Sequence, residues 1–285
     1  MTYQFIAQHQ QEFPVQRMCR VLEVSQSGYY AWKRREPSLR VVANEQLATR
    51  ICQAHKASHH IYGSRRIQAE LLAQGEACGR KRVVRLMHQL GICSPPPRHR
   101  TVTTDSQHAD PVAKNLLDRH FAAEAPNTNW VADITGVWTA EGWLYLSVVL
   151  DLFSRFVVGW AMGTHRDAEL VEQALLMALA RRHPHAGLLH HSDRGSQYTS
   201  ASYQALLAQE GIQVSMSRKG NGYDNAVMES FFGSLKCEWT DRRSYHTRRE
   251  ARQSLFEYME VFYNRQRRHS SLGYLSPAVY EQQKG

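Results

Sequence analysis

Three carboxylates stand where an acid needs a physical reason. Asp133 lies in the middle of the run Trp130-Val-Ala-Asp-Ile-Thr-Gly-Val-Trp138, where alternation would otherwise place a hydrophobic or neutral side chain. Asp193 falls just past the apolar stretch Leu188–His191, the position at which an open sheet presents its carboxyl edge. Glu229 lies about one turn into a helical pattern that starts near Asn225. Burying a carboxylate without a counter-charge is costly, so acids in such surroundings call for a cation. Oxygen donors without His or Cys are hard ligands, which favour magnesium, with manganese as a substitute, over zinc. Two such ions about 3.5–4 Å apart activate an attacking oxygen and stabilise a leaving one in phosphoryl transfer. Other acids read differently. Asp151 is expected to be a turn residue closing a strand meander, and Asp224 and Asn225 to cap the helix that carries Glu229. His183-Pro184-His185 has the His-x-His form of a metal-binding nuclease pair, but its helix-to-strand loop has no neighbouring acid.

The three acids need a frame, and the periodicity of the chain supplies one. Strands are predicted at Trp130–Trp138, Trp143–Leu150 and Phe156–Met162, joined by short turns into an antiparallel meander. A helix follows over Asp167–Arg182, with Leu170, Val171, Ala174, Leu175, Ala178 and Leu179 on one face. Next come a strand at Leu188–His191, a helix at Ser202–Gln209, a short strand at Gln213–Met216 and a helix from about Asn225 to Trp239. A final helix over about Arg248–Asn264 precedes a basic tail. Strand-helix alternation after a meander predicts a mixed sheet with helices on both faces. In such a sheet a mid-strand acid, an acid ending a neighbouring strand and an acid on a helix over that edge can converge. Trp130, Trp138, Trp143 and Trp160 are expected in the core. Arg194, Gln197 and Tyr198 are candidate phosphate or base contacts, or simply residues of a polar loop.

Length and composition bound the rest. The 285 residues suggest about two domains, and 42% hydrophobic with 21% charged residues excludes a disordered or collagen-like chain. The most apolar uncharged run, residues 142–150, is far shorter than the ~20 residues of a membrane span, and the first residues lack a leader pattern, so a cytoplasmic protein is expected. The 5 cysteines are scattered without a C-x-x-C pair and read as reduced thiols. The net charge of +9 is uneven: residues 1–120 carry 18 Lys and Arg against 9 Asp and Glu, residues 121–235 carry 7 against 11, and residues 236–285 carry 10 against 6. An acidic middle between basic ends repels a polyanion unless cations occupy it.

The basic N-terminal part reads as helical. Helices at Val15–Val24 and Ser27–Arg35, joined by a polar turn, resemble a helix-turn-helix, and Tyr29, Tyr30, Trp32, Lys33, Arg34 and Arg35 are candidate DNA contacts on the second. A helical hairpin with a basic tip is the plainer alternative. Helices at Asn44–Lys56, Ser64–Ala73 and Arg80–Leu90 suggest a second DNA-binding unit, with Arg80, Lys81, Arg82 and Arg85 opposite the stripe Val83, Val84, Leu86, Met87 and Leu90. The expected organisation is a helix-turn-helix-like segment at 1–40, a second helical unit at 41–93, a linker rich in Pro, Ser, Thr and Asp at 94–120, an α/β catalytic core at 121–240 and a basic helix and tail at 241–285. The tail brings Arg242, Arg243, Arg248, Arg249, Arg265, Arg267 and Arg268 as further candidate DNA contacts.

The blocks around the acids are specific. They read Trp130-Val-Ala-Asp133-Ile-Thr, His191-Ser-Asp193-Arg-Gly-Ser-Gln-Tyr198, Gly220-Asn-Gly-Tyr-Asp-Asn-Ala226 before Glu229-Ser-Phe-Phe, and Tyr263-Asn264 with His269, Leu272-Gly-Tyr274 and Ser276-Pro277. Between Asp193 and Glu229 lie 35 residues, and Lys236 follows Glu229 by two helical turns. From about Val15 to Tyr280 the chain resembles the DDE, or retroviral-integrase-like, transposases of the OrfB type in the IS-three family of bacterial insertion sequences. The resemblance implies an RNase H-like catalytic core in which Asp133, Asp193 and Glu229 bind two magnesium ions and Lys236 approaches the DNA near an element end. It implies that water first frees a 3′-hydroxyl at that end and that this hydroxyl then attacks another phosphodiester. Such an exchange needs no ATP, and no G-x-x-x-x-G-K-[ST] motif is present. Double-stranded DNA, a homo-oligomer assembled on it and a bacterial, nucleoid-associated location follow from the same resemblance. Relatives often act as a fusion with an upstream-frame protein carrying a coiled coil, and this chain has no heptad run. A DNA-binding subunit that is inert without that partner is therefore the alternative function.

Overall fold

Among the described residues six helices precede the first strand: α1 (Thr2–Gln8), α2 (Val15–Val21), α3 (Gln26–Arg34), α4 (Leu39–Ala57), α5 (Ser64–Ala73) and α6 (Arg80–Gln89). The computed structural model describes residues 2–94, 112–219 and 221–285. Helices α1–α3 close over a small core of Ile6, Met18, Cys19 and Tyr29, and the Ser25 side chain caps α3 by accepting from the Gly28 N–H. The sequence does not announce α1, because Ile6 is its one buried residue and no period shows.

Helices α4–α6 do not form a unit with a core of its own. Leu47, Ile51, Ile67, Leu71, Val83 and Leu86 belong to one continuous apolar cluster with Leu146, Leu150, Phe231, Leu235, Trp239 and Phe262 of the catalytic part. Polar ties reinforce the junction: Arg66 Nη1 lies 2.9 Å from Glu238 Oε1, Arg268 Nε lies 2.7 Å from Glu70 Oε2, and Tyr62 Oη donates to the Gln266 carbonyl at 3.2 Å. Most of the expected linker, residues 95–111, falls outside the described residues. Its last part is anchored, with Leu117 buried and the Ser215 hydroxyl accepting from the N–H groups of Leu116 and Leu117.

The sheet follows the predicted meander and then turns parallel. Strands β1 (Asn129–Thr139), β2 (Gly142–Asp151) and β3 (Val157–Gly163) pair antiparallel; β4 (Leu189–Ser192) lies parallel beside β1, and β5 (Gln213–Met216) parallel beside β4, in the order β3-β2-β1-β4-β5. Helix α7 (Ala168–Arg182) covers one face through Leu170, Val171, Ala174, Leu175 and Ala178. It rests directly on β3 because Gly159 has no Cβ; one placed there would collide with the Ala174 carbonyl and come within 2.8 Å of Ala178 Cβ. After α8 (Ser196–Thr199) and α9 (Ala201–Gln209), helices α10 (Ala226–Glu238) and α11 (Arg248–Phe256) pack on the opposite face, and α12 (Pro277–Lys284) ends the chain. Among the described residues no helix is long and apolar enough to cross a membrane.

Several expectations are corrected here. The predicted continuous helix to Asn264 widens after α11 into a π-helical stretch, Glu257–Tyr263, marked by the Asn264 N–H reaching back to Met259 O at 3.0 Å. That stretch buries Tyr258, Met259, Phe262 and Tyr263. Arg267 of the basic tail is buried and grips Glu238 through Nε (2.6 Å) and Nη2 (2.7 Å), Arg268 holds Glu70, and the Arg243 guanidinium stacks 3.8 Å from the Trp239 ring centre. Arg267 and Arg268 thus hold the fold together, while Arg243 stays exposed. Trp130 is fully buried, but Trp138 and Trp143, which face each other at the turn end of the β1–β2 hairpin, are 61% and 48% exposed.

Candidate active site

The parallel pairing of β1 with β4 decides where two of the acids meet. Val131 pairs with His191, so two residues further on Asp133 stands level with Asp193 at the carboxyl end of β4. The third acid arrives on α10. Asn225, just before this helix, donates from Nδ2 to the Ala132 carbonyl at 3.3 Å and so pins the helix start beside Asp133. Glu229 sits in the first turn of α10, where the helix dipole favours a negative charge.

Local bonds orient the two aspartates. Asp133 Oδ1 accepts from the Ile134 N–H at 2.7 Å and Asp193 Oδ1 from the Gly195 N–H at 2.9 Å. A Cβ on Gly195 would come within 3.0 Å of that Asp193 oxygen and 2.7 Å of Gln197 Oε1, so a larger residue in the tight loop after β4 would press on both side chains. Burial pushes the Asp133 carboxyl up to about 8, with the Asp193 charge next in weight; the Ile134 hydrogen bond and the Arg166 charge hold it down in part, and Glu229 adds to the rise. The three acids therefore act on one another through space. Among the described residues no three His, Cys, Asp or Glu side chains are grouped tightly enough to enclose a metal ion. The donor set nonetheless fits a hard divalent cation, since all three groups are carboxylates and their mutual repulsion is what such an ion relieves.

The other expected site residues are placed as follows. Arg194 Nε donates to the Ser217 carbonyl at 2.6 Å, across the mouth of the β4 and β5 ends. Lys236 is half-buried in the last turn of α10. Gln197 Nε2 donates to the Arg166 carbonyl at 2.9 Å, and Tyr198 is fully buried, which removes it as a DNA contact. In the N-terminal helices Tyr30 and Trp32 are 41% and 36% exposed, and Lys33, Arg34 and Arg35 lie on the surface. Tyr29 is corrected to a core residue, fully buried beside Met18 and Cys19. Arg80 and Lys81 are exposed, and Arg82 Nε donates to Asn44 Oδ1 at 2.9 Å.

Asp224 and Asn225 do not cap α10 with their side chains. Asp224 is buried and accepts from Arg218 N (2.9 Å), Nε (2.9 Å) and Nη2 (2.8 Å), Arg119 Nε (3.1 Å) and Asn115 Nδ2 (3.0 Å). Asp151 closes the meander as expected, accepting from the N–H groups of Asn127 and Phe153. Arg166, whose charge reaches Asp133, escaped the sequence reading: it precedes the α7 cap Asp167 as one arginine in a turn, and its spacing carries no signal.

Residues 123–222 and 210–277 match integrase core domain families, and residues 43–100 match an HTH-like domain. The chain is similar to the insertion element IS600 uncharacterized 31 kDa protein of Shigella sonnei, 49% identical over 265 residues that span 93% of this chain and 97% of that one. It is 43% identical over 283 residues to the transposase InsF for insertion sequence IS3A of Escherichia coli strain K12, covering 99% of this chain and 98% of the relative. A chain of the simian T-cell lymphotropic virus intasome superposes with a TM-score of 0.47 at 15% identity, over 81% of this chain and 74% of that one.

Proposed function

The chain belongs to the IS3 family of insertion-sequence transposases, enzymes that cut DNA and transfer its strands, and from that premise we propose that Asp133, Asp193 and Glu229 perform the chemistry by holding two divalent metal ions, magnesium by preference. The ions, when bound, supply Lewis acidity at the attacking and leaving oxygens of a phosphodiester. The chain's own contribution is placement. Backbone N–H groups of Ile134 and Gly195 hold the two aspartates, and the Asn225 contact with Ala132 fixes the approach of the Glu229 helix. Arg166, Arg194 and Lys236 supply positive charge for the phosphates on either side of the cut. In the first step water attacks the phosphodiester at an element end, leaving a 5′-phosphate and a free 3′-hydroxyl. That hydroxyl then attacks a target phosphodiester and displaces another 3′-hydroxyl, one ester exchanged for another with no net need for a nucleotide cofactor.

The observation that carries this reading is the register of β1 with β4, which sets Asp133 level with Asp193, together with the Asn225 contact that brings the first turn of α10 and its Glu229 to the same strand. Joining two element ends requires two such sites, so the working form is a homo-oligomer on duplex DNA, associated with the nucleoid. The deciding experiment follows cleavage and joining of a labelled duplex carrying the element's own end, in magnesium and in EDTA, for the wild type and Glu229→Gln. Nicked and joined products are expected for the wild type with metal and nowhere else. Joining by Glu229→Gln at the wild-type rate would overturn the assignment of this acid. Equal DNA binding by both proteins with no reaction in either would instead favour dependence on the upstream-frame partner, which adding that partner then tests.

A further inference from the structure

Arginines across this molecule are widely neutralised by partners. Arg66 and Arg267 share Glu238, Arg268 pairs with Glu70, Arg181 with Glu260, Arg182 with Glu281 and Arg218 with Asp224. The space between α4 and α6 departs from that habit. Arg40, near the start of α4, meets Lys81, Arg82 and Arg85 of α6 around an open cleft of about 430 Å³, whose other lining residue is Ala43. Among the described residues no carboxylate lines this cleft or pairs with any of the four cations. Gathering four like charges is unfavourable unless an anion completes the site. Asn44 Oδ1 accepts from Arg82 Nε and fixes the plane of that guanidinium, which suits a directional acceptor better than a diffuse ion atmosphere.

We propose that this cleft is a phosphodiester clamp that seats a backbone phosphate of duplex DNA on the flank of α6. The proposal rests on the transposase reading above and adds which groups hold the DNA and how. The helix itself divides the labour. Val83, Leu86 and Met87 face the core, Lys81, Arg82 and Arg85 line the cleft, and Arg80, Val84 and His88, exposed at four-residue spacing, form a third stripe. With the cleft on a phosphate, that third stripe is the one left to meet base edges. The clamp is also rigidly referenced to the catalytic acids. Helices α4–α6 share the core of the sheet, and Arg66 is bonded to Glu238 on α10, the helix that carries Glu229. A phosphate seated in the cleft therefore sets the register of the duplex relative to the cut.

The test is equilibrium binding of the full chain to two labelled duplexes of equal length, one with the element's end and one with its sequence shuffled, over a series of salt concentrations. Wild type, Arg40→Gln, Arg85→Gln and the double variant are compared, with melting temperatures measured for each. Because the four cations share one phosphate, the double variant should make the slope of log affinity against log salt shallower by about 0.9 and each single change by part of that, and every variant should weaken both duplexes by the same factor without lowering the melting temperature. Variants with wild-type slope and affinity would overturn the clamp, and so would a loss confined to the end sequence, which marks base readers. The outcome is separable from that of the parent reading: if the slopes shift as expected while wild type never joins DNA, the clamp stands and the catalytic assignment falls.

Discussion

Asp133 and Asp224 lie on either side of the junction between β1 and α10, and their surroundings push them in opposite directions. The Arg218 side chain drives Asp224 well below the usual carboxylate range, against burial acting the other way, with the Arg218 N–H and Arg119 adding to the fall. Burial and Asp193 push Asp133 up to about 8. Five hydrogen bonds from Arg218, Arg119 and Asn115 saturate the first, whereas the second has two carboxylates and one arginine, Arg166, for charged neighbours. A carboxylate provided with protein cations is committed to the fold. One set among other carboxylates is the kind of group that the proposed metal site requires.

This contrast can be broken by substitution. Asp133→Asn should lower strand joining by about 10²–10³-fold, on the scale of a lost transition-state contact. Its unfolding temperature should hold or rise, because the amide resembles the neutral carboxyl that burial already favours at this position. A variant that still joins DNA, or that unfolds at a clearly lower temperature, would place Asp133 with the structural acids. Asp224→Ala should do the reverse of a catalytic change: it strips the acceptor from the Arg218 N–H and the Asn115 amide, and urea titration should show a loss of about 1–3 kcal/mol. Unchanged stability there would dissolve the comparison.

The smallest effect concerns β4, the strand that delivers Asp193. His190 is buried with its Nε2 3.1 Å from the Tyr203 hydroxyl, and burial lowers its pKa to about 3. The unfolded chain takes up a proton near pH 6.5 and the folded chain does not, so stability is complete above that pH and declines as pH falls through the window down to about 3. His191, lowered to about 4 by burial, adds the same sign. Between pH 7.5 and 5.5 the His190 share is about 1 kcal/mol, and denaturant titrations at both values should show the difference shrink in His190→Asn. A flat profile in the wild type would mean that this strand accepts the charge.

The catalytic half was the more legible in the sequence. Trp130–Trp138, expected as a strand, is β1 but for a residue at each end, and Asp167–Arg182 is α7 together with its cap. Strong periodicity and a capping Asp report local structure faithfully when one face of an element is buried. The N-terminal half was less readable. Tyr29 sits in a basic, aromatic helix that looks built for DNA, yet a core of four residues needed its ring. Arg267 and Arg268 read as a basic tail because their partners, Glu238 and Glu70, lie 29 and 198 residues away. The widening into a π-helical turn at Glu257 has no local signature either, since the packing of Tyr258 and Phe262 against Trp239 selects it.

The amino-acid sequence by itself determined the alternation of strands and helices and the chemical identity of the three acids, because hydrophobic period and an acid in an apolar run are properties of neighbouring residues. Only the tertiary structure decided which charges are satisfied. The parallel register of β1 and β4 sets Asp133 level with Asp193, long-range pairing consumes arginines that looked available, and the fusion of α4–α6 with the sheet core holds the Arg40–Arg85 cleft in fixed register with Glu229. Charge acts through space, and the chain brings its charges together only when it folds.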